Sequence, residues 1–328
     1  MSDIGPYLLV LFTINLWFST DAQPCSRSQP VIAYRTGDNS IMMFGGYCNL
    51  EKRRMNDLWK FDGQDWTLIA VEKAPQARSG HSMVFDSFKN RLVLFGGKNE
   101  DGILLNDVWV WNGIHWKQLE GGEPSPKPRQ SHRMVFDSNT RDVFLFGGSD
   151  SSGQSLNDTW ILRDNKWIKM NSTDIPPPRL QHTMAYDAQR KKVVLFGGFT
   201  RTEEGKIIFG DTWEWQESKG WQLKNENALL ARDHHAIAYD NNLNRTIIFG
   251  GYNQGYLGDT WSWNGEEWSL LSEEGPSARA GKPGMVYSSS NKRLILFGGW
   301  DKSNAPLMDF WNFNGADKEW SMHNTSRE

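Results

Sequence analysis

The chain has 328 residues, with 36 Lys and Arg against 39 Asp and Glu, a formal charge of −3. So small a charge, without a basic cluster, gives nucleic acid or an anionic membrane no electrostatic support as a partner. Length alone suggests two domains, but one internal repeat fills nearly the whole chain and predicts a single domain that grows by copies.

Residues 1–22 stand outside the repeat. Tyr7 to Phe18 is an apolar run of signal-peptide length, and Ser19-Thr20-Asp21-Ala22 supplies small residues where cleavage would fall. The run is short for a bilayer span, so no membrane crossing is expected. Its leading flank lacks Lys and Arg and carries Asp3, which departs from the signal pattern. The alternative is an extra apolar strand docked on the domain. A cleaved signal implies a secreted chain; an uncleaved segment implies a cytoplasmic one.

Cys25 and Cys48 are the only cysteines and flank the first two expected strands at similar distances from a turn near Gly37. Antiparallel pairing brings them within disulfide reach. Secretion would favour the bridge, and the cytosol two free thiols. Asn157, Asn171, Asn244 and Asn324 each head an Asn-x-Ser/Thr tripeptide, a glycan acceptor in a secreted eukaryotic chain, although Asn157 also belongs to the repeat.

The repeat itself begins near Arg27. Glycine pairs recur at Gly45-Gly46, Gly96-Gly97, Gly147-Gly148, Gly197-Gly198, Gly250-Gly251 and Gly298-Gly299. A tryptophan follows each pair, at Trp59, Trp109, Trp160, Trp213, Trp261 and Trp311, and a second comes after a tight turn, at Trp66, Trp116, Trp167, Trp221, Trp268 and Trp320. The second copy predicts four strands: Ser82 to Phe85, Leu92 to Phe95, Val108 to Trp111 and Trp116 to Leu119. The second strand is a continuous apolar run in every copy, such as Val193-Val194-Leu195-Phe196, and must be covered on both faces. Neighbouring copies can supply that cover, with indole rings filling the gaps between them. The copies span about 27–70, 78–119, 129–170, 179–223, 232–271 and 279–322, joined by links rich in Pro, Gly and Ser. No strand is evident for one end of the chain to lend the other, so closure would rest on packing between copies or on the region before Arg27.

A strand ending in Gly-Gly, a variable loop and two spaced aromatics resembles the kelch repeat. The resemblance covers residues from about Arg27 to Trp320 and implies an all-β fold, a six-bladed β-propeller of four-stranded antiparallel blades. It implies no particular activity, because such propellers serve many functions.

Charged residues also keep register. Arg27, Arg78, Arg129, Arg179, Arg232 and Arg279 open the copies, while Asp57, Asp107, Asp158, Asp211, Asp259 and Asp309 lie two before the first tryptophans. Equal numbers at fixed phase suggest repeated structural pairs, each Arg fork satisfied by a carboxylate or by loop carbonyls, rather than a ring of cations at the channel mouth for an acidic ligand. His81, His132, His182 and His235 stand three residues after those arginines, with Lys282 and Pro30 in that place in the other copies. One imidazole per blade around a ring cannot converge on a metal ion, so these are read as bonding to backbone near their own strands. No partner is evident for His234 or His115.

No nucleophile elbow, phosphate loop, metal motif or cofactor motif appears, and no catalytic residue is assigned. The copper-ligand pattern of galactose-oxidase-like proteins, the iron motif of plant specifier proteins and the Asp-box of sialidases are not found. In a four-stranded meander the loops between second and third strands share a face with the inter-blade links, and here they are long and variable. Directly after the glycine pairs stand Tyr47, Lys98, Ser149, Phe199, Tyr252 and Trp300. Tyr47, Phe199, Tyr252 and Trp300, with Arg201 and Tyr256, form the candidate ligand site for a protein or a glycan. The sequence therefore predicts a non-catalytic binding module. The alternatives are a sugar-acting enzyme, such as a sialic acid mutarotase-like isomerase, with its site at the channel mouth, and an intracellular adaptor.

Overall fold

The computed structural model describes residues 23–120, 122–303 and 305–323. The expected leader over 1–22 and the sequon at Asn324 lie outside them. The described residues form strands and no helix, and none of their elements is a helix long and apolar enough to cross a membrane.

Among the described residues six antiparallel sheets follow one another along the chain, over 31–69, 82–119, 133–170, 183–225, 236–272 and 284–322, each of four strands, to which Arg78–Ser79 adds a short fifth in the second. They are called blades one to six. In blade two, Ser82–Asp86 pairs with Arg91–Asn99, which pairs with Leu104–Trp111, which pairs with Trp116–Leu119. The second strands are the most deeply buried, as their unbroken apolar runs require: Ser40–Phe44 and Asp142–Phe146 are buried at every position. The first strand of each blade neighbours the first strand of the next, and that of blade six neighbours that of blade one. The sheets thus stand radially around an axis as a kelch β-propeller.

One aromatic contact recurs at every junction. The phenylalanine that precedes the glycine pair packs on the second tryptophan of the following blade: Phe44 on Trp116, Phe95 on Trp167, Phe146 on Trp221, Phe196 on Trp268 and Phe249 on Trp320. Phe297 on Trp66, at 5.5 Å between ring centres, closes the circle. Hydrogen bonds cross the same junction, between His323 Nε2 and the Gly63 carbonyl at 2.6 Å and from Ser26 to the Pro306 carbonyl at 3.4 Å, and among the described residues blade six keeps all four of its own strands. Ile41, Trp59, Phe61 and Trp66 share one core cluster with Ile295, Phe297 and Phe310.

The Arg and Asp columns do form pairs. Arg129 donates to both carboxylate oxygens of Asp158 at 2.6 and 2.7 Å and to the carbonyl of Gly147 at 3.0 Å, and the other five copies repeat this fork. Asp158 also accepts from the Trp160 indole at 2.7 Å, so the first tryptophan column is tied to the same carboxylates. The backbone of the arginines of blades two to six reaches the other way, as when the Arg129 carbonyl accepts from Gly97 of blade two at 2.9 Å.

The histidines behave differently from the sequence reading. Each ring presses edge-on against the phenylalanine of the preceding blade, with His132 at 5.4 Å from Phe95 and His182 at 5.5 Å from Phe146, rather than serving its own strand. The glycine pairs answer to close approaches of backbone at the same level. A Cβ on Gly198, whose φ is +91°, would lie 2.7 Å from the His182 Cβ and backbone nitrogen, closer than real atoms approach. Lys282 leaves the column altogether: Gly284, not Pro283, is the register equivalent of Thr183, so blade six carries one extra residue before its first strand.

The long loops are more ordered than expected. In blades two and five the ladder resumes after an irregularity at the glycine pair and continues into Lys98↔Leu104 and Tyr252↔Tyr256. In blade four Phe199–Thr202 and Gly205–Ile208 form a separate hairpin.

Asp158→Asn is expected to cost about 3–5 kcal/mol in urea unfolding, because Arg129 is fully buried and would lose its charge partner. Burial opposes ionisation of Asp158, Asp259 and Asp309, yet their arginines and indoles outweigh it and hold all three below the ordinary value of 3.8. Their contribution is complete above the unfolded-state pKa and is lost as pH falls through the folded-state values. An unchanged urea midpoint in the variant would remove the clamp from the stability argument.

Candidate interaction site on the long-loop face

A depression of about 300 Å³ lies on this face between the blade-four hairpin and blades five, six and one. Antiparallel bridges set its walls. Asp233 exchanges backbone hydrogen bonds with Tyr252, and Ala280 with Trp300, which places both aromatics beside the inter-blade links. Trp300 lies against Gly281, where a Cβ would meet its ring at 2.6 Å. The blade-four hairpin reaches across and brings Lys206 to the carboxylate of Asp233 at 2.5 Å.

Asp233 is fully buried and also accepts from His234 Nδ1. Burial disfavours its charge, but His234 and Lys206 outweigh that cost and hold the carboxyl below its ordinary value. For His234 the balance reverses: burial pulls its pKa down more strongly than Asp233 raises it, so the ring is neutral near pH 7. Lys206 Nζ also lies over the Phe199 ring at 4.3 Å and near Tyr252 at 5.5 Å. The charges of the site therefore compensate one another internally. What it offers a visitor is aromatic surface, with an amine and an imidazole fixed at its floor.

Of the residues singled out from sequence, Tyr252, Tyr256 and Trp300 line the depression. Phe199 is buried beneath it, stacked on His234 with ring centres 6.1 Å apart, and supports the floor rather than the surface. Arg201 lies over Phe199 at 5.5 Å on the exposed hairpin, outside the lining. Tyr47 pairs with Ser28, whose side of the strand reaches the depression, while Tyr47 itself faces Arg54. Sequence reasoning missed Lys206, Asp233 and Gln29, and left His234 without a partner. A signal existed: the residues that follow the repeat arginines are Ser28, Ser79, Gln130, Leu180, Asp233 and Ala280, and only one of them is charged.

Cys25 and Cys48 are joined as a disulfide with their Cα atoms 6.0 Å apart, tying the segment before blade one to the residues beyond Gly46. Asn171 and Asn244 are exposed, and Asn157 is half-buried. His115 lies by Asn112 in a short turn of the opposite face.

The model of the KLHDC2/KLHL20/DRC7 Kelch-repeats domain matches residues 32–221 and 162–328, so the chain belongs to the kelch-repeat family. Among curated relatives, an F-box/kelch-repeat protein of Arabidopsis thaliana is 32% identical over 42% of this chain and 32% of its own length. Kelch domain-containing protein 1 of Mus musculus is 34% identical over 34% of this chain and 28% of its own. The flagellar outer arm dynein alpha chain of Chlamydomonas reinhardtii is 33% identical over 44% of this chain, which is 3% of that much longer protein. The chain thus spans a minor part of each of these relatives.

The site's electrostatics predict that Asp233→Asn moves His234 further below its ordinary pKa, while Lys206→Met moves it upward, both read by NMR titration of the imidazole. Opposite directions, or no movement in either variant, would contradict the arrangement.

Proposed function

We propose that this propeller is a protein-binding module that grips an extended segment of its partner on the long-loop face. The observation that carries this reading is the half-open cluster of Tyr252, Tyr256 and Trp300 around a depression whose charges are already paired. Rigid aromatics give large contact area at small entropic cost, and they dominate interface energetics when they are partly desolvated beforehand. Internal neutralisation of Lys206 and Asp233 removes the need for a charged ligand at this point, and it favours binding over acid–base chemistry. The Arabidopsis relative joins a kelch repeat to an F-box in its name, which fits a recruiting role for the propeller. A glycan stacked on Tyr252 and Trp300 is the alternative occupant.

Selection of a displayed peptide library on the whole chain tests this reading. Selected peptides should lose about 30-fold or more in affinity with Trp300→Ala or Tyr252→Ala, with thermal stability retained. Unchanged affinity in both variants would exclude the cluster, and glycan-array binding lost in the same variants would replace the peptide by a sugar.

We further infer that the chain works outside the cytosol, which the Cys25–Cys48 bridge and the exposure of Asn171 and Asn244 support. Expression through a eukaryotic secretory route should give a mature chain that starts near Gln23 and carries glycans on those two asparagines. A cell-retained product that keeps Met1 would overturn the inference.

A further inference from the structure

Beneath the long-loop face the propeller narrows to a neck. One residue per blade takes a left-handed backbone there, including Gly80, Ser131, Gln181, His234 and Lys282, with φ between +56° and +69°. Their backbones form a circumferential chain: Ser131 donates to Gly80, Gln181 to Ser131, His234 to Gln181 and Lys282 to His234, at 2.7–3.4 Å. Below the neck runs an axial cavity of about 440 Å³, lined by the first strands of all six blades and extending to the face of short turns.

Its lining contains two cations, Arg133 and Lys282, and no Asp or Glu. Arg133 donates through Nε to the His182 carbonyl at 3.0 Å, and none of the ion pairs among the described residues includes its guanidinium. Lys282 is 5% exposed, and among the described residues its ammonium reaches the Ser131 hydroxyl alone, at a long 3.5 Å. Burial pulls the pKa of Lys282 well below its ordinary value, and Arg133 adds to that; Arg133 itself is drawn down to about 10 by burial. A buried amine and a guanidinium without a counter-charge are costly to keep. Past them the walls mix apolar side chains, with Ile32, Val84, Ala185 and Ile237 among them, with the rings of Tyr34, Tyr186, Tyr239 and Tyr287 towards the short-turn end.

We propose that the axial cavity binds a small carboxylate with an apolar body, its head held by Arg133 and Lys282 at the neck end and its hydrocarbon along the walls towards the short-turn face. Charge complementarity selects the head: the free edge of a guanidinium matches the two oxygens of a carboxylate, and the ammonium adds a third donor. The volume suits a small molecule rather than a folded partner. This site is separate from the aromatic depression, which lies on the other side of the neck.

Titration calorimetry of the whole chain with decanoate, and with decanol as the uncharged counterpart, tests the proposal. Decanoate should bind and decanol should bind far more weakly. Lys282→Met and Arg133→Met should each weaken decanoate by about 10–100-fold, the value of one charge-assisted hydrogen bond. Arg133→Lys should recover part of the loss, and Trp300→Ala should leave decanoate binding unchanged, which separates this site from the peptide site. Equal affinity for decanoate and decanol in the unsubstituted chain would overturn the proposal without recourse to any variant. So would the absence of decanoate binding, or an affinity insensitive to both Met substitutions.

Discussion

Each blade is fastened by an arginine that faces two ways. Its guanidinium is committed to the carboxylate and glycine carbonyl of its own blade, while in blades two to six its main-chain carbonyl accepts the second glycine N–H of the blade before. Intra-blade and inter-blade order are thereby coupled at one residue, and a fault in either is felt by both. The carboxylate is shared again with an indole, so the fork, the ladder end and the first tryptophan column form one hydrogen-bonded unit. Because these groups sit beside the glycine pair, only residues without a Cβ fit there.

That constraint accounts for what was legible in the sequence. Arg, Asp, Gly-Gly and the two Trp columns each answer to a contact that recurs from sheet to sheet, so their phase alone pointed to a repeated sheet and to structural partners for the arginines, of which Arg129 with Asp158 is one. The histidines were misread because a ring that packs edge-on against a neighbour's phenylalanine leaves no mark on its own strand. Lys282 was assigned to their column because spacing from Arg279 was counted in residues, whereas register is counted in ladder partners, and blade six holds one residue more. The hairpins of blades four and five were hidden for a related reason. A strand pair that projects beyond the blade has solvent on much of its surface, so segments such as Gly205–Ile208 carry no continuous apolar run.

The candidate sites lie where the repeat is broken. Asp233 occupies a column that is otherwise uncharged, and it is there that the blade-four hairpin leans over to deliver Lys206. Arg133 takes the ladder position that Ser82 and Thr183, small hydroxyl residues, hold in the neighbouring blades. Lys282 holds the ring position that Gln181 holds in blade four, after one extra residue in the link before it. A closed ring of like blades specifies the scaffold many times over, so single departures of this kind are tolerated without loss of the fold.

The neck gives those departures their meaning. Because the Gly80–Lys282 chain of backbone bonds draws five blades to one narrow aperture, side chains that diverge elsewhere in the radial plan converge here. His234 belongs to that chain and lines the aromatic depression, while Lys282 belongs to it and lines the axial cavity. The two compartments are thus lined by neighbouring members of one ring. The charge logic differs on its two sides: above, Asp233 neutralises the cation that reaches it, and below, Arg133 and Lys282 meet no acid. A scaffold whose copies are nearly identical has thereby acquired one surface suited to an uncharged contact and one interior suited to an anion, through substitutions at a handful of positions around a single ring.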